Sequence, residues 1–458
     1  MTTTQGDIAE PIHDFVAEPV RDFVTEPVRD FVAVGLGPFN LGLAALTDPV
    51  EDLDGIFLEA RSSFEWHPGM LLADATLQVP FLADLVSMAD PTSRWSFLNH
   101  LKQTGRLYPF YIRESFYPLR KEYSDYCRWV AEQLDSVHFD SPVARIEHDS
   151  TSYVVTTGSG QVHRGRRLVL GTGTQPWVPE VARGVLGENA CHSADYLARK
   201  AALQRLESIT IVGSGQSAAE IYLDLLAEID DHSYALNWVT RSPRFFPMEY
   251  TKLTLEMTSP EYTAYFQSLP AETRESLLRE QRALYKGISS ELIDRIHDEL
   301  YRREVEGGTA TTLVTNTAVT GAERTEAGIR LDLHHVEQDE DFSLETGGVV
   351  FATGYGREVP EFLAPIRERI TWDDHGRFVA SPTYAIDSEL TSGNEIFVQN
   401  AEEHTHGFVA PDLGMGAHRN SVIIAAMTGR EVYPVEKRIA FQEFGVPDHL
   451  RRTQGADR

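Results

Sequence analysis

Residues Asp30 to Leu46 read DFVAVGLGPFNLGLAAL: an apolar run from Phe31 to Val34, glycines at 35 and 37, then an apolar stretch with helical spacing. Strand, glycine turn and helix in that order open a doubly wound α/β unit. The first glycine permits the tight turn, the second lets a phosphate approach the backbone, and the helix start aims unpaired N–H groups at an anion. Gly35, Gly37 and Asn40 therefore make a GxGxxN, with Pro38 and Phe39 inside it, that reads as a dinucleotide cradle. The strand GIFLEA follows, and Glu59 at its end lies near the ~20-residue offset at which such cradles place an acid on an adenosine ribose.

The unit recurs. SITIVGSGQSAAEIYLDLL from Ser208 again sets a strand before Gly213 and Gly215 and a helix after them, with Ser214, Gln216 and Ser217 in the turn. At the end of the next strand, NWVTR, an acid would suit NAD. Arg241 stands there instead and suits the 2′-phosphate of NADPH. LVLGTGTQPWVP from Leu168 and GGVVFATGYG from Gly347, the latter containing Thr353, read as strand-to-glycine hinges between the two nucleotide units. From Met248 to Glu306, SLLREQRALY and SELIDRIHDELYRR carry helical periodicity. The predicted fold is α/β, with two nested Rossmann-like dinucleotide-binding domains and a small helical domain.

The rest of the chain sets limits. With 458 residues, 42% hydrophobic and 24% charged, it reads as a globular protein of two or three domains. A net charge of -28 speaks against nucleic acid or anionic membrane as partners and favours a cationic small molecule. No apolar run reaches bilayer length and the N-terminus lacks the order of a secretory signal, so a cytoplasmic location is expected. Cys127 and Cys191 have neither metal-like nor redox-like spacing and read as buried spectators. HDFVAEP from His13, RDFVTEP from Arg21 and RDFVAVG from Arg29 form a near-repeat of which only the third copy runs into a strand, so residues 1–27 read as an added arm.

Further motifs stand in a fixed order: WHPGM at 66–70, LQVPFLADLV from Leu77, DPTSRWSFLNHL from Asp90, PLRKEYSDYCRW from Pro118, then VGSGQSAAE, FATGY and THG at 405–407. With GLGPFNL, this series resembles the flavin-dependent N-hydroxylating monooxygenases, the lysine, ornithine and diamine hydroxylases of siderophore biosynthesis, from about Asp30 to Pro434. The resemblance implies an FAD domain at 28–200 and 356–458, an NADPH domain at 201–250 and 308–355, and a substrate-binding helical insertion at 251–307. It puts Trp66, His67, Leu413 and Gly414 along the cofactors, Gln78 near the reactive edge of the flavin, and Arg120 facing flavin and nicotinamide. Gln78 and Arg120 are the candidate catalytic residues, and a homo-oligomer, as a tetramer, is expected. NADPH would reduce the flavin, and reduced flavin with O2 would oxidise an amine lone pair.

Three departures bear on the substrate. Lysine and ornithine hydroxylases resemble one another in FLKDLV, whose lysine pairs with the substrate α-carboxylate; this chain has FLADLV, with Ala83 there. Leu255 stands where a polar residue would hold the amino-acid head, and Gly414 where relatives often carry serine. Tyr285 is a third expected substrate contact. A methyl group cannot neutralise a carboxylate, and an unpaired carboxylate in a desolvated pocket is costly. The expected substrate is thus an aliphatic diamine such as putrescine or cadaverine. The alternative is an L-lysine or L-ornithine hydroxylase in which Arg94 or Lys252 replaces the missing lysine. A Baeyer–Villiger enzyme would need an FxGxxxH, which GENACHSADY does not supply, and a disulfide reductase would need a paired cysteine.

Overall fold

The computed structural model describes residues 27–390, 393–436 and 438–451, so the proposed N-terminal arm lies almost wholly outside the described residues. β1 (Val28–Val34) lies between β2 (Gly55–Leu58) and β6 (Val162–Leu170), parallel to both, and β3 (Val137–His138) continues the sheet beyond β2. Phe31 to Val34 are buried on both faces, as a central parallel strand covered on two sides must be. β4 (Val143–His148) and β5 (Tyr153–Thr157) extend the far edge as an antiparallel hairpin.

A second sheet holds β8 (Ala190–His192), β9 (Ser208–Val212), β10 (Ala235–Val239), β11 (Thr311–Val314) and β15 (Gly348–Phe351), in the order β11-β10-β9-β15-β8 with all neighbours parallel. The chain is thus mixed α/β with parallel sheets. β7 (Gln175–Pro176), on the way out of the first sheet, pairs antiparallel with β16 (Tyr355–Gly356), on the way back, so the two expected hinges run side by side. The return ends at β17 (Ile396–Val398), parallel to the end of β6.

The expected helical stretch is helical: Lys252–Leu255, Pro260–Ser268, Ala271–Glu280 and Ser290–Val305. Two features differ from the sequence reading. The boundary at 200 cuts the helix Tyr196–Leu203 and separates β8 from the sheet to which it belongs. Three residues are too short to carry a periodicity, and β8 is a strand only because β15, far along the chain, pairs with it. The segment before β15 also forms an antiparallel sheet, β12 (Thr317–Thr325), β13 (Gly328–His335) and β14 (Glu340–Thr346). Its signal was the alternation of buried Ile329, Leu331 and Leu333 with polar neighbours.

The helix Pro38–Thr47 is buried along almost its whole length and packs against the helices Arg120–Ala131 and Gly416–Thr428. That placement brings the C-terminal return of the chain onto the first glycine turn. No helix among the described residues is long and apolar enough to cross a membrane.

Candidate active site

Each glycine turn combines one closed glycine with one open one. Gly35 has φ +85°, and a Cβ there would lie 2.6 Å from the Gly171 carbonyl oxygen; at Gly37 a Cβ would meet nothing within 4 Å. In the second turn Gly213, at φ +148°, is closed by the Ala352 carbonyl at 2.2 Å, whereas Gly215 faces open space. Neither following helix is capped by a side chain, so its first N–H groups remain available to a ligand. Open space and free donors at a helix start fit a pyrophosphate at both turns.

The Asn40 side chain, in contrast, is spent inside the protein. It donates to Gly35 O at 2.7 Å and accepts from Gln399 Nε2 at 2.7 Å, pinning the turn to the end of β17. Glu59 accepts from Leu36 N at 2.7 Å and Arg61 N at 2.9 Å, which holds the acid against the same turn. Pro38 opens the helix, and Phe39 is covered by the Arg419 guanidinium at 4.5 Å. In the second turn Ser214 Oγ meets Ser242 Oγ at 2.8 Å, and Ser217 is half-buried. Gln216 accepts from Ser289 N at 2.9 Å, linking the turn to the helix Ser290–Val305. Arg241 is exposed just past β10 and forms no ion pair with the described residues.

Arg120 bridges the two units. Its guanidinium makes a bidentate pair with Glu220 at 2.9 and 2.8 Å and donates to Met70 O at 2.8 Å. Glu220 lies on the helix that follows the second glycine turn, and the two side chains are only 12% and 6% exposed. Sequence reasoning quoted Glu220 inside VGSGQSAAE but gave it no part; its partner is remote in sequence. Beside the pair, His67 takes the left-handed conformation at φ 48°, and its ring packs edge-on against Trp66 at 5.1 Å and Tyr355 at 5.4 Å. Tyr355, on the return hinge, in turn meets His192 at 5.2 Å. Surrounding protein, then the charges of Arg120 and Arg61, lower the His67 pKa to about 4. The residue is exposed to water, and its ring is neutral at pH 7. Thr353 donates across the hinge to Trp177 O.

Gln78 Nε2 donates to Met248 Sδ at 3.1 Å, and Tyr250 Oη reaches the same sulfur at 3.4 Å. Ala83 is buried, and a Cβ on Gly414 would lie 3.8 Å from its methyl. Leu413 lines a small cavity with Phe39 and Leu85, directly beside the first glycine turn. Tyr285 donates to Glu403, which also pairs with Arg357 at 2.6 Å, and its ring lies 5.9 Å from Phe408. Leu255, expected at the substrate, is 47% exposed and outside the buried clusters. Of the cations expected to replace the missing lysine, Arg94 pairs with Asp48 at 3.0 Å over the Trp95 ring, and Lys252 is exposed at the start of its helix. Both cysteines are free and buried.

A buried ion pair unforeseen from sequence holds this wall in place. Arg419 Nε lies 3.1 Å from Glu402 Oε1, and both side chains are sealed from water. Burial raises the Glu402 carboxyl pKa while Arg419 opposes it.

A family model described as L-lysine 6-monooxygenase/L-ornithine 5-monooxygenase matches residues 27–357. The chain belongs to this family. The monooxygenase is 47% identical to a putrescine N-hydroxylase of Shewanella oneidensis, over 97% of this chain and 86% of that protein. A cadaverine monooxygenase of desferrioxamine biosynthesis from Erwinia amylovora, solved with FAD, is 50% identical with a TM-score of 0.89 and covers 92% of this chain and 99% of its own. An ornithine N-hydroxylase from Kutzneria sp. 744, solved with reduced FAD, NADP+ and L-ornithine, is more distant. It is 29% identical, with a TM-score of 0.81, over 88% of this chain and 99% of its own.

Proposed function

We propose that this monooxygenase hydroxylates one terminal nitrogen of an aliphatic diamine, putrescine or cadaverine, with FAD, NADPH and O2, for hydroxamate siderophore biosynthesis. The first glycine turn, with Glu59, Trp66, His67 and the Leu413–Gly414 turn, holds FAD. The second turn, with Arg241 and the Ser214–Ser242 pair beside it, holds NADPH and its 2′-phosphate. The two sheets form the nested dinucleotide domains, and the helices from Lys252 to Val305 form the substrate domain between the strands of the second. Bound FAD, once reduced by NADPH, would activate O2, of which one atom would go to the amine nitrogen and the other would leave as water.

The chain's own residues bind and orient. Arg120 and Glu220 fix the helix of the second turn against the first unit, and neutral His67 and Tyr355 line the cleft between them. Only an unprotonated amine has a lone pair to offer, and an alkylamine of pKa near ~10.4 loses its proton more readily in a desolvated pocket. The observation that carries the diamine reading is Ala83, buried beside Gly414, with Arg94 committed to Asp48. Arg94 is therefore not free to pair an α-carboxylate there, and the relatives named for putrescine and cadaverine stand nearer than the ornithine enzyme. A homo-oligomer remains part of the proposal, supported by the exposed run Tyr108, Tyr111, Ile112 and Phe116.

The substrate reading is tested by Ala83→Lys. Two like charges about 4 Å apart at an effective dielectric of ~20 repel by roughly 4 kcal/mol. Even a third of that lowers kcat/KM for a diamine about tenfold. Hydroxylamine product must be measured, because NADPH oxidation alone includes uncoupled peroxide release. Unchanged diamine kcat/KM in the variant would remove Ala83 from the substrate pocket.

A further inference from the structure

This inference rests on the diamine reading above. A diamine that offers one neutral nitrogen for oxidation keeps a charged ammonium at its other end, and an ammonium in a partly desolvated pocket needs a counter-charge. The acids around Ala83, Gly414 and Tyr285 fall into two kinds, those paired with cations and those held by backbone donors alone or with a hydroxyl. Asp84 is satisfied by the amides of Val86, Ser87 and Phe97 and by the Ser87 hydroxyl. Glu402 has Arg419, and Glu403 has Arg357, Lys286 and Tyr285. Asp412 has no ion pair with any described residue. Like Asp84 it is held by backbone amides: its Oδ1 accepts from Gly414 N at 2.7 Å, capping the turn Leu413–Met415, and the Met415 amide also favours its charged form. Arg419, the cation that acts on it electrostatically, is spent on Glu402 and on the Ala410 carbonyl at 2.5 Å.

Asp412 is also in the right place. The Gly414 it caps abuts Ala83, and the adjoining Leu413 lines the cavity beside the first glycine turn. The negative charge of Asp412 helps to raise the Tyr250 phenol pKa after burial itself, and Tyr250 shares the Met248 sulfur with Gln78. The Asp412 carboxyl is crowded by protein, which raises its pKa, yet the residue is only half-buried.

We propose that Asp412 receives the ammonium at the far end of the substrate, and so selects a diamine over a monoamine, and over an amino acid, whose far-end ammonium is accompanied by a carboxylate that Asp412 repels.

The test is Asp412→Asn in the FAD-loaded enzyme. Asparagine keeps an oxygen to cap the Leu413–Met415 turn and loses only the charge. Dissociation constants and kcat/KM for hydroxylamine formation are measured for putrescine and cadaverine against butylamine and pentylamine. The diamine values should worsen roughly ten- to hundredfold, the range of a lost charge-assisted contact. The monoamine values should shift less than threefold, so that the diamine preference collapses. Equal losses for monoamines and diamines would mean that Asp412 is only a cap and would overturn the assignment, as would a preserved diamine preference. Turnover of ornithine or lysine but of no diamine by the unaltered protein would overturn the substrate reading and this assignment together.

Discussion

Gly37→Val is expected to yield soluble, folded protein that has lost most of its flavin. Gly37 lies in extended backbone at φ -78°, which any residue adopts, and its Cβ would touch no atom of the chain within 4 Å. The fold therefore has no objection to a side chain there. The space is reserved for a ligand, and filling it costs the ligand the close backbone approach that a pyrophosphate requires. Overpacking of about 1–3 kcal/mol corresponds to roughly five- to hundredfold in affinity. Gly35→Ala is the contrasting control, because its φ of +85° and the 2.6 Å approach to Gly171 O strain the protein itself. Flavin absorbance per mole of protein, read with circular dichroism and thermal unfolding, separates the two. A folded Gly37→Val with full flavin content would remove the cofactor from this turn.

Arg120→Ala should be among the most destabilising single substitutions in the molecule. It would leave Glu220, 6% exposed, without a cation, and removing one partner of a buried pair costs about 3–5 kcal/mol. It would also free the Met70 carbonyl. Lysine cannot reproduce the bidentate geometry, so Arg120→Lys should recover only part of the loss. Because the pair joins the helix of the second glycine turn to the first unit, NADPH-dependent flavin reduction should slow along with the fall in stability. The double variant Arg120→Ala/Glu220→Ala should be less damaging than the two singles combined, since no charge is stranded. Thermal unfolding of the four proteins decides it; a single variant as stable as the parent would show that the pair does not couple the units.

What could be read from sequence follows from the range of the interactions involved. The two glycine turns were legible because strand, turn and helix are contiguous, and each glycine's task is local. The two hinges were legible because each strand ends in its own glycine, but that β7 and β16 pair with one another was not. Arg120–Glu220 and Glu402–Arg419 were not foreseen, because neither partner carries a local mark of the other. Asn40 illustrates the limit of a motif: its position was read correctly as part of the turn, but its side chain serves Gly35 and Gln399. Asp412, two residues before Gly414, carries no local mark of a role in the sequence. Only the three-dimensional arrangement shows that Glu402 and Glu403 are paired with cations while Asp412, beside Ala83 through Gly414, has none among the described residues.

The substrate assignment is the central claim, and one competition assay tests it most directly. The FAD-loaded protein is given NADPH, O2 and equal concentrations of putrescine, cadaverine, L-ornithine and L-lysine, and each hydroxylamine is quantified by mass spectrometry. A pocket with Ala83 in place of a cation should yield the hydroxylamine of a diamine at least tenfold over that of either amino acid, the discrimination expected from an unpaired carboxylate. Predominant N-hydroxyornithine or N-hydroxylysine would contradict the account.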